Sequence, residues 1–115
     1  VSGSGVVFAA MPATVPHSLL HQVIAVYAPR RMILFGSHAR GEAGEDSDLD
    51  LLVVLDDDVP PEALHWRRRH EARRGYAGGV DIIPCRERVL RDRARAPGSL
   101  AAAALREGVT VYERP

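Results

Sequence analysis

Gly36 and Ser37 close a hydrophobic run, Asp48-Leu49-Asp50 follows after ten intervening residues, and Asp81 opens a later apolar run. In an extended strand successive side chains alternate faces, so Asp48 and Asp50 are expected to point one way while Leu49 and Leu51 point the other. Two carboxylates brought to one point repel each other and are costly beside a core unless a cation or solvent neutralises them. Magnesium suits such a place, because it takes hard oxygen ligands and is commonly held by one or two carboxylates together with substrate phosphates. With Asp81 as a third strand-borne carboxylate, the set matches what a two-metal mechanism requires, with ions about 3.5 to 4 Å apart acting on the attacking and leaving oxygens. A glycine leaving a buried strand lets the backbone approach a ligand closely, and the amides opening the next helix favour an anion such as a triphosphate. Ser37 adds a hydroxyl donor, and Arg40 either reaches the same anion or pairs with an acidic neighbour. His38 reads as an exposed polar residue of the turn.

These residues need elements to hold them. Leu19, Leu20, Val23, Ile24 and Tyr27 recur at helical spacing, which predicts a first helix over Pro16 to Tyr27, with Thr14 as a candidate cap. Pro29 ends it, and Arg31 to Phe35 reads as a buried strand closed by Gly36. Ser37 to Gly41 starts a short second helix, the polar segment before Asp48 is a loop, and Asp48 to Leu55 is a second strand. Asp56-Asp57-Asp58-Val59-Pro60-Pro61 supplies a turn, a cap and a proline entry for a third helix from about Pro61 to Tyr76. Gly78-Gly79 breaks the chain before a third strand, Val80 to Pro84. Cys85 reads as a small, half-buried residue at the junction that follows. Helical segments over Arg86 to Ala96 and, capped by Ser99, up to Gly108 precede an extended stretch from Val109 to Tyr112. The order implies an α/β (α+β) fold, a small mixed sheet of three to four strands flanked by helices.

The chain has 115 residues, which suits one compact domain: 1–13 as a flexible lead-in and 14–115 as the domain. Its 46% hydrophobic and 26% charged residues are those of an ordinary globular protein, and no apolar stretch approaches the roughly 20 residues of a membrane span. No membrane association is expected. One cysteine, Cys85, forms no internal disulfide and fits a reducing cytoplasm. The formal net charge is zero, yet residues 42–58 are wholly acidic among their charges, while residues 67–95 hold ten arginines. All basic residues are arginine, which coding bias explains, so the excess is a weak signal for nucleic acid.

The run GSHARGEAGEDSDLDLLVV, with VDIIP downstream and REGVTVYE near the end, resembles the minimal nucleotidyltransferases of the DNA polymerase beta superfamily. The resemblance covers most of the chain and fills every carboxylate position of the signature. It implies that Gly36 and Ser37 hold the phosphates of ATP, that Asp48 and Asp50 bind both magnesium ions, and that Asp81 completes the metal site and helps deprotonate the acceptor. Larger members add a domain that grips the base or acceptor, for which this chain has no room. The missing surface is then expected from a second copy or another protein. Minimal members are commonly paired with a small helical HEPN protein, and there act as antitoxins by transferring AMP to a tyrosine of the toxic RNase.

Two further readings compete. One keeps the chemistry but moves it to a small hydroxylated acceptor such as an aminoglycoside, against which the short chain counts. The other is a non-catalytic antitoxin acting by contact, through Arg67, Arg68, Arg69, Arg73 and Arg74 beside Trp66 and Tyr76, a stretch more simply read as a solvated helix face. Nucleic-acid binding through the same arginines is the weakest reading, given zero net charge and few interleaved aromatics.

Overall fold

The apolar run after Pro29 forms strand β1, Arg31–Phe35, and the second run forms β2, Leu49–Leu55. They pair antiparallel, with Phe35 opposite Asp50, and β3, Val80–Arg86, adds parallel to the far side of β2. The last strand, β4, Val109–Glu113, pairs antiparallel with β1 through a register shift between Met32 and Ile33, which completes a mixed sheet in the order β3-β2-β1-β4. The computed structural model describes residues 15–41 and 48–115. The expected lead-in, the Thr14 cap and the loop before Asp48 lie outside them.

Alternation along the strands divides the core in two. Met32, Leu34, Leu51, Val53 and Leu55 face helix α1, His17–Tyr27, which buries Leu19, Leu20, Val23 and Tyr27. Ile33, Phe35, Leu52 and Val54 face the opposite side, where Leu90 of α4, Glu87–Ala94, and Ala104 of α5, Leu100–Glu107, cover them. Asp50 is in phase with Leu52 and Val54, so the polar residue on β2 belongs to the α4–α5 face. Ser99 caps α5 as expected, its Oγ accepting from the Ala102 amide at 3.0 Å.

The third helix departs from the continuous run expected over Pro61 to Tyr76. His65 is extended (φ −70°, ψ 144°) and splits it into a 3-10 turn, Pro61–Leu64, and a short helix α3, Trp66–Ala72, whose Arg67 amide donates to His65 Nδ1 at 3.2 Å. The segment has too thin an apolar face to specify a long helix, and its docking on α1 decides its length. Gln22 Nε2 donates to the Glu71 carbonyl at 3.0 Å, and Arg68 Nη1 to the Val26 carbonyl at 3.3 Å. Arg73 Nη2 donates to the Gly78 carbonyl at 2.9 Å, so part of the arginine stretch is occupied within the fold. Strand β3 likewise runs two residues beyond the expected Pro84, placing Cys85 within the strand, and α4 is shorter than expected.

The acidic turn also acts elsewhere than expected. Asp57 Oδ1 accepts from the Arg88 amide at 2.8 Å, capping the first turn of α4 rather than the helix that follows it in sequence. Asp56 accepts from Arg114 Nη2 at 2.8 Å and from Arg30 Nη1 at 3.3 Å, tying the ends of β2 and β4 to the start of β1. The Arg114 hydrogen bond, reinforced by Arg30, holds the Asp56 carboxyl below its ordinary range. Glu87 is the buried charged residue among those described, and it accepts from Arg31 Nη2 at 3.2 Å and Arg91 Nε at 2.8 Å. Glu87→Ala leaves Arg31 without its buried partner and is expected to cost about 2 kcal/mol, the low end for such pairs because the arginines are partly exposed. A lower urea midpoint with unchanged m-value checks it; an unchanged midpoint would show that the pair contributes nothing.

Candidate active site

Where β1 ends and β2 and β3 begin, the sheet brings together residues far apart in sequence. Asp50 and Asp81 are direct register partners on the parallel pair β2–β3, and Phe35, immediately before Gly36, lies opposite Asp50 on β1. Asp50 is half-buried, whereas Asp48 and Asp81 are exposed.

Gly36 has φ 76° and ψ −157°, a region essentially restricted to glycine. That conformation turns the chain from β1 into the short helix α2, Ser37–Arg40. A side chain at position 36 would also meet the Asp50 carboxylate, its Cβ falling 3.4 Å from Cγ and closer still to Oδ2. Gly79 plays the same part for Asp48, since a Cβ there would stand 2.6 Å from the Asp48 Cγ. In the sequence Gly78-Gly79 marks only a chain break, and the signal for this further part is its position directly before the Asp81 strand.

The carboxylates lie close enough for the charges of Asp81 and Asp48 to act on Asp50. Asp48 precedes β2 and leans toward Gly79 on the β3 side, while Asp50 leans toward Gly36 on the β1 side. Among the described residues no group of three His, Cys, Asp or Glu side chains is gathered about a single point that a metal ion would occupy. The donor chemistry nonetheless fits a hard divalent cation, being all carboxylate oxygen, and the cradles at Gly36 and Gly79 keep space around both aspartates. Burial, and then the charges of Asp81 and Asp48, raise the Asp50 pKa above its ordinary 3.8, with His38 opposing them. His38 is half-buried rather than exposed, and its influence on Asp50 makes it a site residue that sequence reading set aside.

Ser37 opens α2 at the mouth of this arrangement, and Arg40, at its other end, stands 3.8 Å from Glu107 at the end of α5, the acidic-neighbour alternative. Both side chains of that pair are partly exposed, so the contact holds Arg40 only weakly.

The raised Asp50 pKa has a definite sign for stability. The folded chain binds this proton more tightly than the unfolded chain, so the contribution is present at low pH and is lost as pH rises through the folded-state pKa. Above that pKa ionised Asp50 opposes folding. Without divalent cations, Asp50→Asn is expected to melt at a higher temperature than wild type at neutral pH, the difference closing as pH falls toward 3.8. Thermal melts from neutral to acid pH check it, and a lower melting temperature for the variant at neutral pH would contradict it.

A family model described as Nucleotidyltransferase domain matches residues 22–97. Among solved structures, a toxin–antitoxin crystal structure with AMP-PNP shares the fold with a TM-score of 0.56 at 17% identity, over 86% of this chain and 74% of that one. A mutant toxin–antitoxin MntA–HpeT structure, with two aspartates changed to glutamate, gives 0.54 at 14% identity over the same shares. At these identities the likeness is one of fold. No protein with a curated description matches the chain by sequence.

Proposed function

Because this chain belongs to the nucleotidyltransferase domain family, we propose that it transfers AMP from ATP to a hydroxyl group, the acceptor being a tyrosine of a HEPN-type partner that it thereby neutralises. The observation that carries this reading is the registered pair Asp50–Asp81 facing the strained Gly36 turn. It sets acidic oxygens beside a backbone that admits phosphate. The two fold neighbours, both toxin–antitoxin structures and one with AMP-PNP, support the nucleotide and the protein partner.

In the proposed reaction the acceptor oxygen attacks the α-phosphorus of ATP. A new P–O bond forms, the bond between the α-phosphorus and the bridging oxygen breaks, and pyrophosphate leaves with that electron pair. Asp81 takes the proton of the acceptor hydroxyl. The Gly36 backbone and the Ser37 hydroxyl orient the triphosphate, and Arg40, partly exposed at the same turn, adds a positive charge toward it. Asp48, Asp50 and Asp81 would hold magnesium, which when bound neutralises phosphate charge and makes the acceptor oxygen more acidic.

The test is the intact mass of a HEPN-type protein, should one be encoded beside this chain, after incubation with ATP, magnesium and the purified chain. A gain of one AMP on a tyrosine is expected. An unchanged mass, with nucleotide and metal bound normally, would show the proposed acceptor to be wrong.

A further inference from the structure

The sheet face that carries Asp50 and Asp81 does not stop at the carboxylates. Two residues along each strand, Leu52 and Ile83 are again register partners, about 6.6 Å further on at the rise of a strand. They belong to an apolar groove of about 260 Å³ between α4 and α5, whose walls include Cys85, Val89, Arg93 and Leu100. Leu100 is 54% exposed, among the most exposed large hydrophobic residues of the described chain. The groove lies below the roughly 300 to 1,000 Å³ usual for whole small-molecule ligands, and its size suits one or two side chains. Among the described residues, Arg93 is the charged side chain in its lining.

We propose that this groove is the acceptor subsite: it seats an apolar side chain next to the acceptor tyrosine of a protein segment flanked by acidic residues, and so delivers the hydroxyl to Asp50 and Asp81. The proposal rests on the protein-acceptor reading above. Continuity of one sheet face from carboxylates to groove makes the two a single track, and the Arg93 guanidinium in its wall favours an acidic flank over a basic one. A nucleotide base is the other ligand chemistry that suits an apolar groove beside this site, and the test separates it.

The probes are two peptides, Ac-Asp-Leu-Tyr-Leu-Asp-amide and Ac-Asp-Ser-Tyr-Ser-Asp-amide, with AMP transfer from magnesium ATP followed by mass spectrometry. The leucine peptide is expected to have a KM at least about tenfold lower at similar kcat, which is the pattern of uniform binding energy. Leu100→Glu, and independently Val89→Glu on the opposite wall, should abolish that preference while melting temperature and magnesium-ATP affinity stay at wild-type values. Equal use of the peptides, or a preference that survives both substitutions, would overturn the groove. Weaker ATP binding by folded Leu100→Glu would assign it to the nucleotide base instead. If neither peptide is labelled although ATP binds, the protein-acceptor reading itself falls, and the subsite with it.

Discussion

Asp50→Asn is expected to slow nucleotidyl transfer by roughly 10³-fold or more while leaving the chain folded. A carboxylate that holds a catalytic cation accounts for several kcal/mol of transition-state stabilisation, and each 1.36 kcal/mol is tenfold in rate. Asn keeps the shape of Asp50 and removes its charge, in a place where burial and two acidic neighbours already work against that charge. Rate and stability should therefore move in opposite directions, a combination that a merely damaged fold does not produce. Magnesium sharpens the contrast. It should raise the melting temperature of wild type, because it binds the folded state alone, and should do so much less for the variant. Transfer rates and melts with and without magnesium check both halves. Activity within threefold of wild type would remove Asp50 from the site.

Gly36→Ala should be nearly as damaging, for a different reason. Alanine at φ 76° and ψ −157° costs about 1–3 kcal/mol of backbone strain, and its Cβ would displace the Asp50 carboxylate. A shift of about 1 Å in a positioned group is enough to cost roughly 10²-fold in rate. Gly41→Ala is the control. Gly41 also has a positive φ, 73°, but a Cβ there meets nothing within 4 Å. It should lose stability, about 1 kcal/mol for a left-handed alanine, with the transfer rate kept. If both alanine variants lose the same activity, strain in the turn rather than crowding of Asp50 is responsible.

Much of this arrangement was legible in the residues. The runs Arg31–Phe35 and Leu49–Leu55 announce strands by their apolar density, and Ser99 announces the helix it caps. Register is not written that way. Nothing in the spacing from Asp50 to Asp81 says that they are neighbours across a parallel pair, because that follows from how the Pro61–Ala72 segment crosses over and packs on α1. The same packing broke the expected third helix at His65. Two-residue alternation predicts Asp48 and Asp50 on one side of β2, but it says nothing of the glycines across from them, Gly79 and Gly36, that leave room for the two carboxylates. His38, a polar residue in a turn, carries no sequence mark of its nearness to the half-buried Asp50 carboxylate. Arg40 had two readings in sequence, and the fold supplies Glu107 for one of them from a helix more than sixty residues away.

A crystal structure of the chain with manganese and a non-hydrolysable ATP analogue would locate the metal and the triphosphate together. An anomalous metal signal is expected within ligating distance of Asp48 and Asp50, with the triphosphate against the Gly36 backbone and the Ser37 hydroxyl. Nucleotide and metal bound elsewhere would contradict it, for example the phosphates in the arginine-lined cleft formed by Arg30, Arg31, Arg91 and Arg114 at the opposite end of the sheet.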